Sequence, residues 1–301
     1  MENTVRNPLK HLAVLAAAGE ECNVFLQGQL SNDLRELTAH RAQLSSLNSA
    51  KGRVLAVLQV ARLGTGVVAV LPSAIGPSVL EHLNKFVLRT KVTLTVDDKA
   101  DCFGLMGENA NDALERLGGQ SLERDWASVA LDGGMVAWRA PGRVCRIIVA
   151  GPTAKVTKAY DSLSELPVGD LHSWRLQDIL ASIPEMLPPT QDKFVAQMLR
   201  LDDLGAISFT KGCYTGQEVI ARAHYLGKVK RGSVVGCTQA KRPLKPAEVL
   251  EVEGKPAAIV VSAAPTPEGG QTVLAVLHQE FPAGTKFTAA DGVEVSLGAK
   301  A

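Results

Sequence analysis

The sequence predicts an α+β protein that ends in a small all-β domain. Three observations carry this. Apolar strand-like runs alternate with helical spacing through most of the chain, though not as a regular βαβ series. Pro184, Pro188 and Pro189 then interrupt the alternation. After Arg231 short apolar runs recur roughly every 8–12 residues with Gly and Pro between them, the texture of a barrel. Residues 1–230 are therefore read as two interleaved α+β subdomains, and residues 231–301 as a C-terminal β-barrel domain.

The elements follow in order. "HLAVLAAAG" is a strand. From Asn23 the spacing turns helical through Phe25, Leu26, Leu30, Leu34 and Leu37, and Ser31-Asn32-Asp33 offers a fresh N-cap. "AQLSSLNSAKGRVLAVLQVARLGTGVVAVLP" reads as three strands with turns at Ser49–Gly52 and Gly64–Gly66. A helix runs out of Gly76-Pro77, because Pro is tolerated at a helix start. "KVTLTVDD" and "CFGLMG" are strands, "NANDALERLG" a helix closed by Gly118, and "MVAWRAPGRVCRIIVAG" a hairpin around Pro141-Gly142. "PTAKVTKAYDSLSEL" is a helix. "PEMLPPTQDKFVAQMLRLDDLGAISF" reads as an extended crossing segment with a short helix, and "GQEVIARAH" opens another.

Composition excludes several classes. The chain has 301 residues, 46% hydrophobic and 21% charged, an ordinary globular balance with room for about two domains. The net charge of +1 does not indicate a globally basic nucleic-acid binder. The five cysteines (Cys22, Cys102, Cys145, Cys213, Cys237) include no CxxC pair, and the six histidines show no metal-ligand spacing, so no metal ligand is nominated. The apolar run near the N-terminus is too short to span a bilayer. The expectation is a reducing, cytoplasmic protein with no membrane association.

The chemistry concentrates in "KGCYTGQEVIARAHYLGKVKR", Lys211–Arg231, with five Lys/Arg against one carboxylate. Gly212 and Gly216 let a ligand approach the backbone, and the helix start at Gly216-Gln217-Glu218 is an anion site in form. In an extended run Lys211 and Cys213 share a side, where the cation favours a thiolate. The plainer readings stand beside these: Cys213 as turn packing, and Lys228, Lys230 and Arg231 as a solvated linker.

"KGCYTGQE" resembles the signature of the YgfZ family, relatives of the glycine-cleavage T-protein (aminomethyltransferase). "FLQGQLSNDL", "NSAKGRV", "FVLRTKV" and "LGAISFTKGCYTGQEVIARAHYLGKVKR" extend the resemblance over nearly the full length. It implies a three-domain ring of the T-protein type whose third part is the β-barrel, with a central hole that binds tetrahydrofolate. It implies a role in assembling or repairing iron–sulfur clusters in client enzymes such as a radical-SAM tRNA methylthiotransferase. Cys213 is then the key thiol, with Lys211 beside it as the second catalytic candidate. Gln27, Asp33, Arg53, Trp174, Tyr214, Gln217, Glu218 and Arg222 are the candidate folate-binding residues, and Arg222, Lys228, Lys230 and Arg231 suit a polyglutamate tail.

The chain departs from the T-protein pattern at two places. The T-protein's aspartate pair is replaced by the apolar stretch after Arg53, which argues against aminomethyl transfer; a folate-dependent one-carbon transferase is the competing reading. Leu180 stands where the family often has a pterin-binding Glu; Asp178, two residues earlier, shares its side in an extended segment and substitutes for the Glu only if the backbone shifts. Plainer uses are available for Trp174 (core packing), Gln27 and Asp33 (caps), Arg53 (surface charge) and Asp202-Asp203 (a solvated helix end).

Overall fold

The chain begins by crossing between two sheets. β1 (Val5–Asn7) and β2 (Leu12–Ala18) are consecutive, yet they pair in different sheets. The structure, a computed structural model, describes residues 4–226 and 232–298. The boundary placed at residue 230, with Lys228, Lys230 and Arg231, lies outside the described residues.

After β2 come α1 (Cys22–Gln29), β3 (Gln43–Asn48), β4 (Val54–Leu63), β5 (Gly66–Pro72), α2 (Gly76–Val87) and β6 (Thr93–Val96). They build an antiparallel sheet of order β3-β4-β5-β2-β6. The second sheet uses β7 (Ala100–Met106), β8 (Ser128–Leu131), β9 (Met135–Ala140) and β10 (Arg146–Pro152), in the order β1-β7-β10-β9-β8. Helices α3 (Ala110–Arg116) and α4 (Thr153–Ser162) pack on its outer face.

Period-two alternation sorts the side chains between layers. On β10, Ile147 and Val149 face the helices, while Ile148 and Ala150 join the layer between the sheets. On β5, Val68 and Val70 enter that same layer, and Val67, Ala69 and Leu71 enter the core on the other face. The two sheets therefore pack face to face with helices outside, an arrangement each sheet's two apolar faces require.

Helix α5 (Leu171–Leu180) holds the three parts together. Asp170 caps it, its carboxylate accepting from Ser173 N at 2.9 Å. The run from Ala181 to Gly216 has one 3₁₀ turn, Ala196–Leu199, before α6 (Gln217–Leu226). Then β11 (Ser233–Thr238), β12 (Val249–Val252), β13 (Lys255–Pro265), β14 (Gln271–Leu277), β15 (Lys286–Ala289) and β16 (Glu294–Leu297) close a barrel in the order β11-β14-β13-β12-β15-β16. α5 packs against β13 and β14, and its Trp174 lies under β7 at Gly104. A Cβ at residue 104 would come within 2.3 Å of the Trp174 ring, so only glycine permits this approach.

Three elements differ from the sequence reading. β1 and β8, of three and four residues, are too short to show alternation. "DILASIPEM" begins as helix, not as an extended segment, so Asp178 and Leu180 point to different sides of α5 and Asp178 does not stand in for Leu180 on a shared face. No described helix is long and apolar enough to cross a membrane.

Candidate functional site

Three of the four resembling segments meet at one node. α1 ends at Gln29 because Leu30 turns to extended backbone, leaving last-turn carbonyls without helical partners. Lys211 fills that gap. Its ammonium donates to the carbonyls of Gln27 (2.6 Å), Leu30 (2.7 Å) and Asn32 (3.0 Å), and the side chain is buried. A cation at a helix C-terminus also suits the helix dipole. Burial, followed by the opposed fields of Asp33 and Arg35, pushes this amine down to about 8. Three carbonyl acceptors match the three N–H groups of the charged form, which we take as the state present.

The loop is fastened around this cation by further side-chain hydrogen bonds. Ser31 Oγ donates to Ala206 O at 2.7 Å, and Asn32 Nδ2 donates to Leu44 O and Gly205 O at 2.8 and 2.9 Å. Gln27 Nε2 donates to Asp33 Oδ1 at 2.9 Å, and Leu34 N donates to Gln27 Oε1 at 2.8 Å. Asp33 also receives Arg35, whose guanidinium holds its carboxyl well below the usual carboxylate range. Gln27 and Asp33 thus cap and tie local turns.

The Ser49–Arg53 turn packs against the start of α6. Gly216 has φ +83°, and a Cβ there would lie 2.6 Å from Ser49 O. Gly52 has φ +67° and sits equally close to Val219. Arg53 Nη1 donates to Lys193 O at 3.0 Å, and Ser49 Oγ to Asp192 Oδ1 at 2.8 Å. Arg53 therefore anchors the crossing segment.

Cys213 faces outward. Its neighbour Tyr214 is buried, with its phenol pushed up to about 12 by burial and the Lys211 ammonium 5.1 Å from its ring centroid. Lys211 and Cys213 are not on one side, contrary to the sequence expectation. The loop from Ser208 to Thr215 is irregular, so strand alternation does not apply, and the ammonium is bound to carbonyls below the loop. Glu218 and Arg222 form an exposed i, i+4 pair at 2.7 Å. Gln217 is the first residue of α6, and Arg222 borders a hollow of about 420 Å³ with Val219, Ala223 and Leu226.

A second polar cluster sits around α5, apart from this loop. Trp174 is fully buried, so its faces are not open for stacking, contrary to that sequence expectation. Arg146, also fully buried, has its guanidinium carbon 5.1 Å from the Trp174 ring centroid. It donates to Asp178 Oδ1 at 2.6 Å and to Pro141 O at 2.8 Å. Arg175 donates to Glu185 Oε1 at 2.8 Å. Burial raises both carboxyls against the lowering fields of their arginines, and burial with the Arg175 charge pushes His11 down to about 4. Sequence reasoning missed Arg146, Arg175, Glu185 and His11. The available signal was a charge inside an apolar strand, "GRVCRIIVAG", and a Glu between prolines, "IPEMLP".

No protein-family profile matches the chain. It is 29% identical over 243 residues to the tRNA-modifying protein YgfZ of Colwellia psychrerythraea, covering 81% of this chain and 74% of that protein. It is 27% identical over 285 residues to the tRNA-modifying protein YgfZ of Edwardsiella ictaluri, covering 93% and 86%. The YgfZ of Shigella boydii gives 29% over 270 residues, covering 88% and 82%. Among solved structures, the glycine cleavage system aminomethyltransferase T from Bartonella henselae superposes with a TM-score of 0.77 at 16% identity, over 99% of this chain and 85% of that one. That likeness shows the fold and no more. Over most of its length, then, this is a YgfZ-like chain on the aminomethyltransferase T fold, ending in a closed six-stranded barrel.

Proposed function

We propose that the protein is a tetrahydrofolate-binding accessory factor that supports iron–sulfur clusters in client enzymes, with Cys213 as its working thiol. The observation that carries this reading is the exposed Cys213 side chain on a loop whose neighbours Lys211 and Tyr214 are buried. A thiolate is a soft donor of the kind iron–sulfur clusters take. The names of the relatives support tRNA modification as the process served. A radical-SAM tRNA methylthiotransferase is the kind of client expected, reached in the cytoplasm and without direct nucleic-acid contact.

The residues around α5 fit a folate. Trp174 Nε1, Arg146 Nε and Arg175 Nε are buried N–H groups without partners, which favour a ligand or water that brings acceptors. Asp178 and Glu185 offer acceptors for a donor edge. Tetrahydrofolate supplies a flat, hydrogen-bonding heterocycle and a carrier for one-carbon units. The chain's own part is to bind and orient it. Aminomethyl transfer is not part of the reading: β4 begins Val54, Leu55, Ala56, Val57, Leu58, with no carboxylate.

The test is complementation of a host lacking its own YgfZ-like protein, read as the methylthio-modified nucleoside content of its tRNA. The wild-type chain is expected to restore it and Cys213→Ser to fail. Equal restoration would reject the thiol's role.

A further inference from the structure

We infer that the outer face of α6, with the Ser49–Arg53 turn beside it, is a docking groove for an amphipathic helix with an acidic flank on the client protein. The partner is the client of the proposed function, on which this rests. α6 is apolar on two sides, and the described residues cover only one of them fully. Inward, Ile220 is fully buried, His224 stacks on Phe209 with ring centroids 3.8 Å apart, and Gln197 Nε2 donates to Ile220 O at 2.7 Å. Outward, Val219, Ala223 and Leu226 follow the i, i+4, i+7 spacing that puts side chains on one stripe. With Arg222 that stripe lines the open hollow of about 420 Å³, and Leu226 is 83% exposed. A solvated helix face carries polar residues at such positions. An apolar stripe at this spacing is what a second helix packs against.

Charge narrows the partner. Gly52 lies against Val219, which sets the Ser49–Arg53 turn at the edge of the stripe. Lys51 and Arg53 on that turn are exposed. Arg53 spends its hydrogen bonds on the carbonyls of Asp192 and Lys193, and Lys51 makes no ion pair among the described residues. Arg222 pairs with Glu218 across an exposed i, i+4 contact, a weak bond that a partner's carboxylate can replace. The rim of the stripe is therefore positive, and it draws a partner that carries carboxylates. A phosphate chain or a polyglutamate tail would use the cations and leave the stripe bare; an acidic amphipathic helix uses both. α6 is held from within and by the turn, so the groove is preformed and little ordering opposes docking. Cys213 is exposed in the loop that leads into α6, so a partner seated on the stripe lies next to the thiol.

The experiment is calorimetric titration of the full chain with a purified radical-SAM tRNA methylthiotransferase carrying its clusters, at low and high salt. The wild type is expected to bind, more weakly as salt rises. Ala223→Glu puts a carboxylate in the stripe and should weaken binding about tenfold. Lys51→Glu, at an exposed position that leaves the core untouched, should weaken it about fivefold and flatten the salt dependence. Both variants should keep the wild-type thermal midpoint and the alkylation of Cys213. Absence of binding by the wild type overturns the inference, as does unchanged affinity in both variants. It is overturned as well if the variants lose affinity for tRNA or for tetrahydrofolate pentaglutamate and keep it for the enzyme. None of these results alters the Cys213→Ser complementation, which decides the proposed function on its own.

Discussion

The loop at Lys211 and the cluster at α5 are both built on buried cations, and they use them in opposite ways. Lys211 gives all three N–H groups to backbone carbonyls, so its charge is consumed in closing α1 and seating the loop. Arg146 and Arg175 instead each hold a carboxylate and leave that carboxylate with one oxygen uncommitted. The first arrangement seats the loop and leaves Cys213, the thiol of the proposed function, exposed outside it. The second, on the proposed reading, faces a folate. A buried charge is structural when its hydrogen bonds end on backbone, and available when they end on a group with capacity left.

The largest expected effect breaks the first half of this contrast. Lys211→Met leaves the carbonyls of Gln27, Leu30 and Asn32 without their donor, and should cost about 3 kcal/mol, read as a lower denaturant midpoint at unchanged m. Lys211→Arg should not recover it, because a planar guanidinium does not match three carbonyls gathered around one ammonium. A stability loss near zero would mean the cation is not caged. Gly104→Ala addresses the second region. It drives a methyl into the Trp174 ring and should cost about 2 kcal/mol by overpacking, while any folate affinity falls as α5 shifts.

A smaller effect is pH-dependent. His11 is held below its ordinary 6.5 at about 4, so it adds stability above 6.5 that is lost as the pH falls through about 4. The raised carboxyls of Asp178 and Glu185 run the other way, adding stability below about 4 and giving it up as the pH rises through their folded values. His11→Gln should therefore flatten the stability profile between pH 6.5 and 4 by on the order of 2 kcal/mol and expose the opposing carboxyl slope. A profile identical to wild type would remove His11 from the cluster.

Much of the fold was legible because local signals were strong. The β3-β4-β5 meander shows its turns at Gly52 and Gly64, and α2 its Gly76-Pro77 start. The barrel strands are short, apolar and punctuated by Gly and Pro. The α5 region was not legible in the same way. Its capping residue Asp170 is three positions ahead of Ser173, but the helix carries mixed residues that periodicity does not sort, and a Pro-rich run follows. The partner of Asp178 is 32 residues away, and no local pattern announces a pairing at that separation. At the loop, residue types were readable and side-chain direction was not. Alternation holds for strands, and Lys211–Cys213 is not one.

Native thiol labelling followed by peptide mass mapping tests the central division most directly, since the proposed role requires a reachable sulfur on a fixed loop. Cys213 should be alkylated in the folded protein, while Cys22 and Cys102, both buried, should react only on unfolding. Protection of Cys213 equal to that of Cys102 would contradict the account.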